Sequence, residues 1–251
     1  MLLPPRAGAE NMARDVALME RARETREVVF SAYQWMRPTL SLGRNEMARN
    51  RYDCAGLERL GMDVVRRPTG GRALVHHREV TYSVTAPLDG NTSLREWYAR
   101  INRVLVRALA SIGVVAAEAA GGPPAQPHDG SPCFAKPARG EILVNGRKLV
   151  GSAQWRNGGA LLQHGSILIA DDQHLISQLS LSGSAVAYPA PATLASLLDL
   201  VPDVAEVAAA LFGAVHALED PEACELDESE IRPAALDRIA DFENELWTWR
   251  R

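Results

Sequence analysis

Cysteine is scarce in this sequence, and its pattern indicates neither a disulfide framework nor a metal site. Cys54, Cys133 and Cys224 are far apart and odd in number, which is typical of a protein kept in a reducing compartment. No CxxC pair and no HExxH motif occurs, so the sequence predicts no bound metal. We therefore expect a cytoplasmic protein without disulfides.

An excess of positive charge and long apolar runs are also lacking. Lysine and arginine number 27 against 31 aspartate and glutamate residues, and this net charge of −4 argues against a nucleic-acid partner. No run of about twenty uncharged apolar residues occurs, so we expect no membrane-spanning helix. Residues 1–6 are too short and too polar for a signal peptide.

The composition is that of an ordinary globular protein, with 251 residues, 47% hydrophobic and 23% charged. Periodicity predicts helices at 9–26, 50–60 and 94–112, and strands at 28–35, 39–42, 62–66, 73–75, 79–86, 141–144, 148–150, 154–156 and 160–169. Strands on both sides of a long helix predict an α+β fold, a mixed sheet with flanking helices. We expect one domain, residues 1–251, with a core at about 11–175 and a helical extension at about 176–251.

Two segments about eighty residues apart carry the strongest functional pattern, RRPTGGRALVH at residues 66–76 and NGRKLVGSAQ at residues 145–154. A Gly-Gly turn lets a ligand approach backbone N–H groups, because glycine has no Cβ atom to obstruct it. Asn145-Gly146 is a strong signal for a type I′ hairpin turn. In the second segment Lys148 precedes the small residues Gly151, Ser152 and Ala153. This pattern predicts one cation beside a surface of small residues that leaves room for a ligand.

The segment GGPPAQP at residues 121–127 cannot form regular structure and predicts a mobile loop. Cys133 follows shortly after it. Most free cysteines are inert, but a nearby cation such as Lys148, His128 or His164 would favour the thiolate, which attacks thioesters readily. Cys54 and Cys224 lack such surroundings, so we expect both to be structural.

Each remaining candidate has an ordinary structural alternative. Lys148 is an exposed strand lysine unless its apolar neighbours bury the ammonium group. In the pairs Arg66–Arg67 and His76–His77, consecutive side chains of an extended chain point to opposite faces, so at most one of each pair faces a site. His164 interrupts an apolar strand, and a core histidine with satisfied hydrogen bonds is the alternative to a functional one.

These residues resemble the lipoate/octanoate branch of the biotin–lipoate protein ligase and transferase superfamily. The likeness runs from about residue 11 to about residue 170, and its segments are NMARD at 11–15, YQW at 33–35, LSLG at 40–43, TYSV at 81–84, CF at 133–134, LQHGSIL at 162–168, and the two segments above. Two features are most similar to the cysteine-dependent octanoyl-[acyl carrier protein]:protein N-octanoyltransferases. Arg72 stands where lipoate ligases typically have a third glycine, and Cys133 stands on the loop where these transferases carry their nucleophile.

The resemblance implies the fold of a biotin/lipoate protein ligase catalytic domain and transfer of an octanoyl group in lipoate biosynthesis. The implied donor is octanoyl-acyl carrier protein, and the implied acceptor is a lipoyl-domain protein, such as the glycine cleavage H protein or the E2 subunit of a 2-oxoacid dehydrogenase. Cys133 is the implied nucleophile and Lys148 the implied stabiliser of the acyl carbonyl. No cofactor is implied, because a thioester is already activated.

The substrate-binding residues implied by the resemblance lie in three segments: Arg67, Gly70, Gly71, Arg72, Ala73 and His76, then Gly151, Ser152 and Ala153, then His164. Two other functions stay open. In an ATP-dependent lipoate or octanoate ligase, Lys148 would contact the phosphate and carboxyl groups, and Cys133 would be incidental. A non-catalytic acyl-binding protein could also use this fold, since a fold alone does not define an activity.

Overall fold

Two β-sheets and the helices around them form the part of the chain that the computed structural model describes, residues 2–90, 92–119, 134, 140–181 and 189–251. The strands in these ranges are β1 (Val29–Tyr33), β2 (Thr39–Leu42), β3 (Asp63–Arg66), β4 (Leu74–His76), β5 (Glu79–Pro87), β6 (Ala117–Glu118), β7 (Ile142–Val144), β8 (Arg147–Asn157) and β9 (Ala160–Leu168). The helices there are α1 (Gly8–Thr25), α2 (Cys54–Arg59), α3 (Leu94–Ser111), α4 (His174–Leu179), α5 (Leu194–Leu197), α6 (Val204–Leu218), α7 (Arg232–Leu236), α8 (Ile239–Glu243) and α9 (Glu245–Thr248).

The strands form one large antiparallel sheet and one small mixed sheet. The large sheet has the order β1-β5-β9-β8-β7-β6, and every neighbouring pair in it is antiparallel. The small sheet has the order β3-β2-β4, with β2 parallel to β3 and antiparallel to β4. This arrangement of sheets and helices confirms the predicted α+β class.

Helices cover both faces of the large sheet. On one face, α3 and α6 pack against β5 and β9 in the largest hydrophobic cluster, which includes Leu105, Leu211 and Leu161. On the other face, α1 packs Met19 against Leu162 of β9. Residues two positions apart on a strand point to the same side of a sheet, so His164 lies on the same face as Leu162. His164 lines the candidate pocket, which therefore lies on the α1 face.

Local chemistry explains the helix and turn that the sequence predicted most closely. The hydroxyl of Ser93 accepts from the N–H of Glu96, whose carboxylate accepts from the N–H of Ser93, and this capping box starts α3. Asn145 and Gly146 have φ angles of 50° and 74°, the left-handed conformation that a type I′ hairpin requires.

Two predicted elements differ in the structure. The predicted strands at 148–150 and 154–156 are parts of one continuous strand, β8. The small residues between them pair in register with β9, Gly151 with Ser166 and Ala153 with His164, so the ladder is not interrupted. The helix predicted at 50–60 begins only at Cys54, since Asn50 has a φ of 60° that an α-helix does not accept.

The last part of the chain folds back over α1 and β3. Glu228 forms ion pairs with Arg14 and Arg6, at 2.8 Å and 2.9 Å. Trp247 donates from Nε1 to the carbonyl of Arg66 at 2.8 Å. The division into a core and a helical extension remains a prediction. Among the described residues, no helix has both the length and the apolar character that crossing a membrane requires.

Candidate active site

A pocket opens between α1, the face of β8 and β9, and the turn that joins β3 to β4. It contains about 390 Å³ of space, part of which is open to solvent. The predicted site residues that line it are Arg67, Gly71, His76, Gly151, Ser152, Ala153 and His164. Met12, Tyr33, Trp35 and Leu74 also line it, so the pocket suits a ligand with an apolar part.

Lys148 does not itself line the pocket, but a shift in strand register places it beside Gly151, which does. Ile142 pairs with Val150 but Leu143 pairs with Lys148, so β8 has one residue more than β7 at this point. Side chains three positions apart point to opposite faces of a regular strand. The extra residue reverses that rule, since a Cβ atom on Gly151 would lie 3.2 Å from Nζ of Lys148. A bulge of this kind often re-aims a side chain beside an active site.

The ammonium group of Lys148 is buried rather than exposed. The residue is 2% exposed, which excludes its reading as a surface lysine. Its Nζ atom lies 2.5 Å from Oε1 of Glu141 and 4.8 Å from the centroid of the Phe134 ring. Because Phe134 follows Cys133 in the sequence, the segment that carries the predicted nucleophile contributes at least one residue to the surroundings of Lys148.

Arg67 braces the Gly70–Gly71 turn from within. Its Nη2 donates to the carbonyls of Gly70 and Arg72, both at 2.8 Å, and its Nη1 donates to the carbonyl of Ser41 at 2.9 Å. Gly71 has a φ of 93°, a conformation that favours glycine. Arg67 therefore both supports the turn and lines the pocket, and its role in substrate binding stays a prediction.

Gly43 supports the same turn from outside. A Cβ atom at position 43 would lie only 1.9 Å from the carbonyl oxygen of Gly71, so the two backbones pack directly on each other. The buried Arg66 does not line the pocket. Its guanidinium instead donates to the carbonyls of Gly43 and Thr248, at 2.6 Å and 2.9 Å.

His164 is the middle member of a buried chain of hydrogen bonds. Its Nδ1 lies 2.8 Å from Oδ2 of Asp15, which also accepts from the hydroxyl of Tyr33 at 2.9 Å. Its Nε2 lies 2.6 Å from Oγ1 of Thr69. An ionised carboxylate only accepts, so the bond to Asp15 assigns a proton to Nδ1, and in that tautomer Nε2 accepts from the hydroxyl of Thr69. This chain ties α1 and β9 to the residue before the Gly70–Gly71 turn.

His76 forms a second buried polar group on the pocket wall. Its ring stacks on Trp35 with 3.9 Å between centroids, and its Nδ1 lies 3.1 Å from Oε1 of Glu79. Burial lowers the pKa of His76, and the carboxylate of Glu79 offsets this only in part. His77 is exposed, so the two neighbouring histidines point to opposite sides as the sequence predicts.

The other predicted residues have different positions. Gly70 and Arg72 belong to the turn that Arg67 braces, and Ala73 packs in the core of the small sheet beside Leu40 and Val75. Cys133, His128 and the predicted loop at 121–127 lie outside the described residues, so their roles stay predictions. Cys54 and Cys224 are both exposed free thiols.

Three contributors to the site were missed from the sequence: Asp15, Thr69 and Glu141. Asp15 had a detectable signal, because it lies three residues after Met12 and four before Met19, on the apolar stripe of α1. A charged residue on a buried stripe needs a polar partner. The partner of Lys148 had no such signal, since only the fold brings Glu141 close to it.

The architecture is a two-sheet α+β domain with a pocket between one sheet face, a helix and the Gly70–Gly71 turn, a shape that suits a small ligand. The sequence model of the lipoyl protein ligase A/B catalytic domain matches residues 7–215. The chain belongs to this family, which confirms the resemblance inferred from the motifs.

Similar sequences and solved structures agree with this assignment. Octanoyltransferase LipM of Carboxydothermus hydrogenoformans is 42% identical over 171 residues, which are 66% of this chain and 62% of that protein. Octanoyltransferase LipM of Moorella thermoacetica is 38% identical over 184 residues, 70% of this chain and 67% of that protein. The chain thus spans about two thirds of the length of these relatives.

Two solved structures show the same fold at low identity. A lipoate-protein ligase A bound with ATP has a TM-score of 0.77 at 20% identity and covers 99% of this chain and 96% of its own. A bi-partite lipoate protein ligase from Thermoplasma acidophilum has a TM-score of 0.78 at 19% identity, and the match covers 99% of this chain and 94% of that one. The predicted ligase-type catalytic fold is confirmed by this likeness, which at such identities concerns the fold alone.

Proposed function

We propose that this protein transfers an octanoyl group from acyl carrier protein to a lysine of a lipoyl-domain protein, with Cys133 as the nucleophile. The relatives named octanoyltransferase support the transfer of this acyl group. The acceptor is the glycine cleavage H protein or the E2 subunit of a 2-oxoacid dehydrogenase, and the transfer is a step of lipoate biosynthesis. The reaction requires no cofactor.

The observation that carries the proposal is the placement of Lys148. Its buried ammonium lies beside Gly151, which lines the pocket, and beside the ring of Phe134. A fixed cation in a site with little water stabilises a developing negative charge far better than it would in bulk solvent. The contact with Phe134 supports a site in which Cys133, the preceding residue, and Lys148 act on the same acyl group.

In the first step, the thiolate of Cys133 attacks the carbonyl carbon of the octanoyl thioester. The tetrahedral oxyanion is stabilised by Lys148, a role typically worth a few kcal/mol. When the intermediate collapses, the bond to the carrier thiolate breaks, and that thiolate takes up a proton. The octanoyl group is then held as a thioester on the enzyme.

In the second step, the amine of the acceptor lysine attacks this thioester. An amide forms, the bond to the sulfur of Cys133 breaks, and the amine loses a proton. A thioester is activated enough for both steps, so neither requires ATP or a metal. The wall formed by Met12, Tyr33, Trp35 and Leu74 suits the acyl chain, whose burial at about 0.8 kcal/mol per CH₂ contributes roughly 5 kcal/mol of binding.

Intact-mass spectrometry after incubation with octanoyl-acyl carrier protein, without ATP or magnesium, tests the proposal. We expect one octanoyl adduct on the wild type that hydroxylamine removes. The variant Cys133→Ala should form no adduct and should transfer nothing to a lipoyl domain, while Cys133→Ser is expected to trap at most a slow oxyester.

Three outcomes would contradict the proposal. Full transfer by Cys133→Ala would exclude the cysteine mechanism. Transfer that depends strictly on ATP and magnesium would instead identify an acyl-adenylate ligase. Binding of octanoate without transfer under either condition would identify an acyl-binding protein.

A further inference from the structure

Four arginines gather beside the Gly70–Gly71 turn, which forms one wall of the pocket, and we call Arg44, Arg49, Arg250 and Arg251 the arginine patch. The backbone N–H of Arg44 donates to the carbonyl of Thr69 at 2.8 Å, immediately before the Gly70–Gly71 turn. The backbone N–H of Arg49 donates to the carbonyl of Arg251 at 2.5 Å. The patch is thus continuous with the turn that closes the pocket.

The guanidinium group of Arg44 is held between two indole rings. Its Cζ atom lies 5.2 Å from the ring centroid of Trp155 and 5.8 Å from that of Trp247. Arg250 stacks on the same Trp247 ring, with its Cζ atom 4.0 Å from the ring centroid. Nη2 of Arg250 also donates to the carbonyl of Arg44. Aromatic stacking fixes an arginine without using its N–H donors, so the guanidinium of Arg44 keeps its donors for an anion.

None of the four side chains forms an ion pair with a carboxylate among the described residues, and Nε of Arg250 is buried without an acceptor. Glu46, an acid in the same loop, is already used, because its carboxylate accepts from the hydroxyl of Tyr52 at 3.0 Å and from the N–H of Gly43 at 3.1 Å. Other arginines do have acidic partners, as Arg78 has Asp172 at 2.7 Å.

The arginines also repel one another. Burial, with the charges of Arg44 and Arg251, lowers the pKa of Arg250. Arg66 lies beneath the patch, and burial together with the charge of Arg250 lowers its pKa to about 10. In a chain of net charge −4, this local excess of positive charge is relieved when an anion binds.

We infer that the arginine patch docks an acidic surface of the protein that carries the acyl thioester. The inference rests on the proposed function, since it names the partner that delivers the acyl chain to this pocket. The carrier must stay outside the pocket while its acyl chain lies inside, and the patch adjoins the Gly70–Gly71 turn that forms one wall of the pocket. Guanidinium groups bind carboxylates in a bidentate manner, and complementary charge accelerates the encounter of two proteins. A small thioester without a carrier protein gains nothing from the patch.

Charge reversal tested with two donors separates docking from chemistry. Acylation rates are measured by intact mass with octanoyl-acyl carrier protein and with octanoyl-N-acetylcysteamine. We expect Arg44→Glu/Arg49→Glu to lower the second-order rate constant for the protein donor by about tenfold or more at low salt. The rate with the small donor should change less than about twofold, and high salt should remove most of the difference. Arg49→Glu alone, at an exposed position, should show the same selectivity to a smaller extent.

Arg103→Glu/Arg107→Glu is the matched control, because it reverses two exposed arginines of α3 on the other face of the large sheet. This variant should acylate normally with both donors. Equal losses with both donors in the patch variant, or no loss with the protein donor, would overturn the inference. A loss confined to transfer from preformed acyl-enzyme to a lipoyl domain would also overturn it, since the patch would then dock the acceptor.

A binding measurement keeps the inference separate from the proposed function. Isothermal titration with carrier protein that bears its prosthetic thiol but no acyl group requires no chemistry. We expect binding to the wild type and to the α3 control, and a dissociation constant at least about tenfold weaker for the patch variant. If the wild type binds but is never acylated, the transfer mechanism fails and the docking surface stands. Equal binding by all three proteins would reject the surface.

Discussion

The Nζ atom of Lys148 lies 2.5 Å from Oε1 of Glu141, and the two side chains are only 1% and 11% exposed. Removing one member of a buried pair leaves the other charge without its compensation, which destabilises the fold. A single substitution that removes the charge of Lys148 is therefore expected to lower both the stability of the fold and the transfer activity. The two effects separate when both members are neutralised together.

We predict that Lys148→Met abolishes octanoyl transfer and lowers the free energy of unfolding by about 1–3 kcal/mol, because the carboxylate of Glu141 loses this ion pair. The double variant Lys148→Met/Glu141→Gln should recover most of the stability and none of the transfer. Lys148→Arg should also transfer poorly, since a planar guanidinium does not replace a compact ammonium. Urea unfolding, circular dichroism and a transfer assay measure these quantities. Near-wild-type transfer by the double variant would leave Lys148 a purely structural residue.

The buried chain from Asp15 through His164 to Thr69 gives a second prediction. We expect Thr69→Val to raise KM for the acyl donor several-fold, because Nε2 of His164 loses its donor and the adjoining turn loosens. Thr69→Ser keeps the hydroxyl group and should stay near the wild type. Steady-state kinetics with both variants decides between a role for the hydroxyl group and a role for side-chain shape.

The energetic coupling between Asp15 and Thr69 through the ring of His164 can be measured directly. The variant Asp15→Asn places an amide where the ring proton was accepted, so its effect and that of Thr69→Val should not be additive. A double-mutant cycle on the free energy of unfolding should show a coupling of about 0.5–3 kcal/mol. In the wild type, ¹⁵N NMR should find the proton on Nδ1 of His164. Additive effects together with a proton on Nε2 would contradict this chain of hydrogen bonds.

Much of the fold follows from local sequence signals. The helix α3 was predicted at 94–112 from its apolar spacing and the glycine that follows it, and the structure adds the serine cap that starts it. The hairpin at Asn145-Gly146 was equally clear. Small residues at 151–153 concealed the continuity of β8, since strand propensity does not include the pairing partner that β9 supplies.

The site was less predictable than the fold, because its geometry depends on contacts between distant segments. The apolar neighbours of Lys148 offered burial as one of two readings, but the register shift that turns it toward Gly151 depends on pairing with β7. Arg67 was predicted to bind substrate, and the structure adds that its guanidinium also donates to the carbonyls of the turn. A sequence motif points to candidate residues, but it does not distinguish a residue that contacts a ligand from one that supports the turn beside the ligand.

The contact between Gly43 and Gly71 gives a third prediction. In Gly43→Ala the new Cβ atom would lie 1.9 Å from the carbonyl oxygen of Gly71, so the backbone of the turn must move. We expect a loss of about 2–3 kcal/mol in the free energy of unfolding and a raised KM for the acyl donor. In the control Gly213→Ala, on an exposed position of α6, a Cβ atom meets nothing within 4 Å. That variant should be more stable by about 0.5–1 kcal/mol. Equal stabilities of the two variants would contradict the close packing at Gly43.

The buried ring of His76 predicts a specific dependence of stability on pH. Its pKa is lowered in the folded protein, chiefly by burial, whereas the unfolded chain takes up this proton near pH 6.5. Between the two pKa values the unfolded state binds more protons, so stability rises with pH in this window and falls as the pH is lowered through it. We expect the free energy of unfolding to decline more between pH 7.5 and 5 in the wild type than in His76→Gln, with a difference in slope below about 1.4 kcal/mol per pH unit. Replacement of the exposed neighbour, His77→Gln, should keep the wild-type slope. Parallel urea titrations of the three proteins test this, and identical slopes for wild type and His76→Gln would mean that His76 does not resist protonation in the folded state.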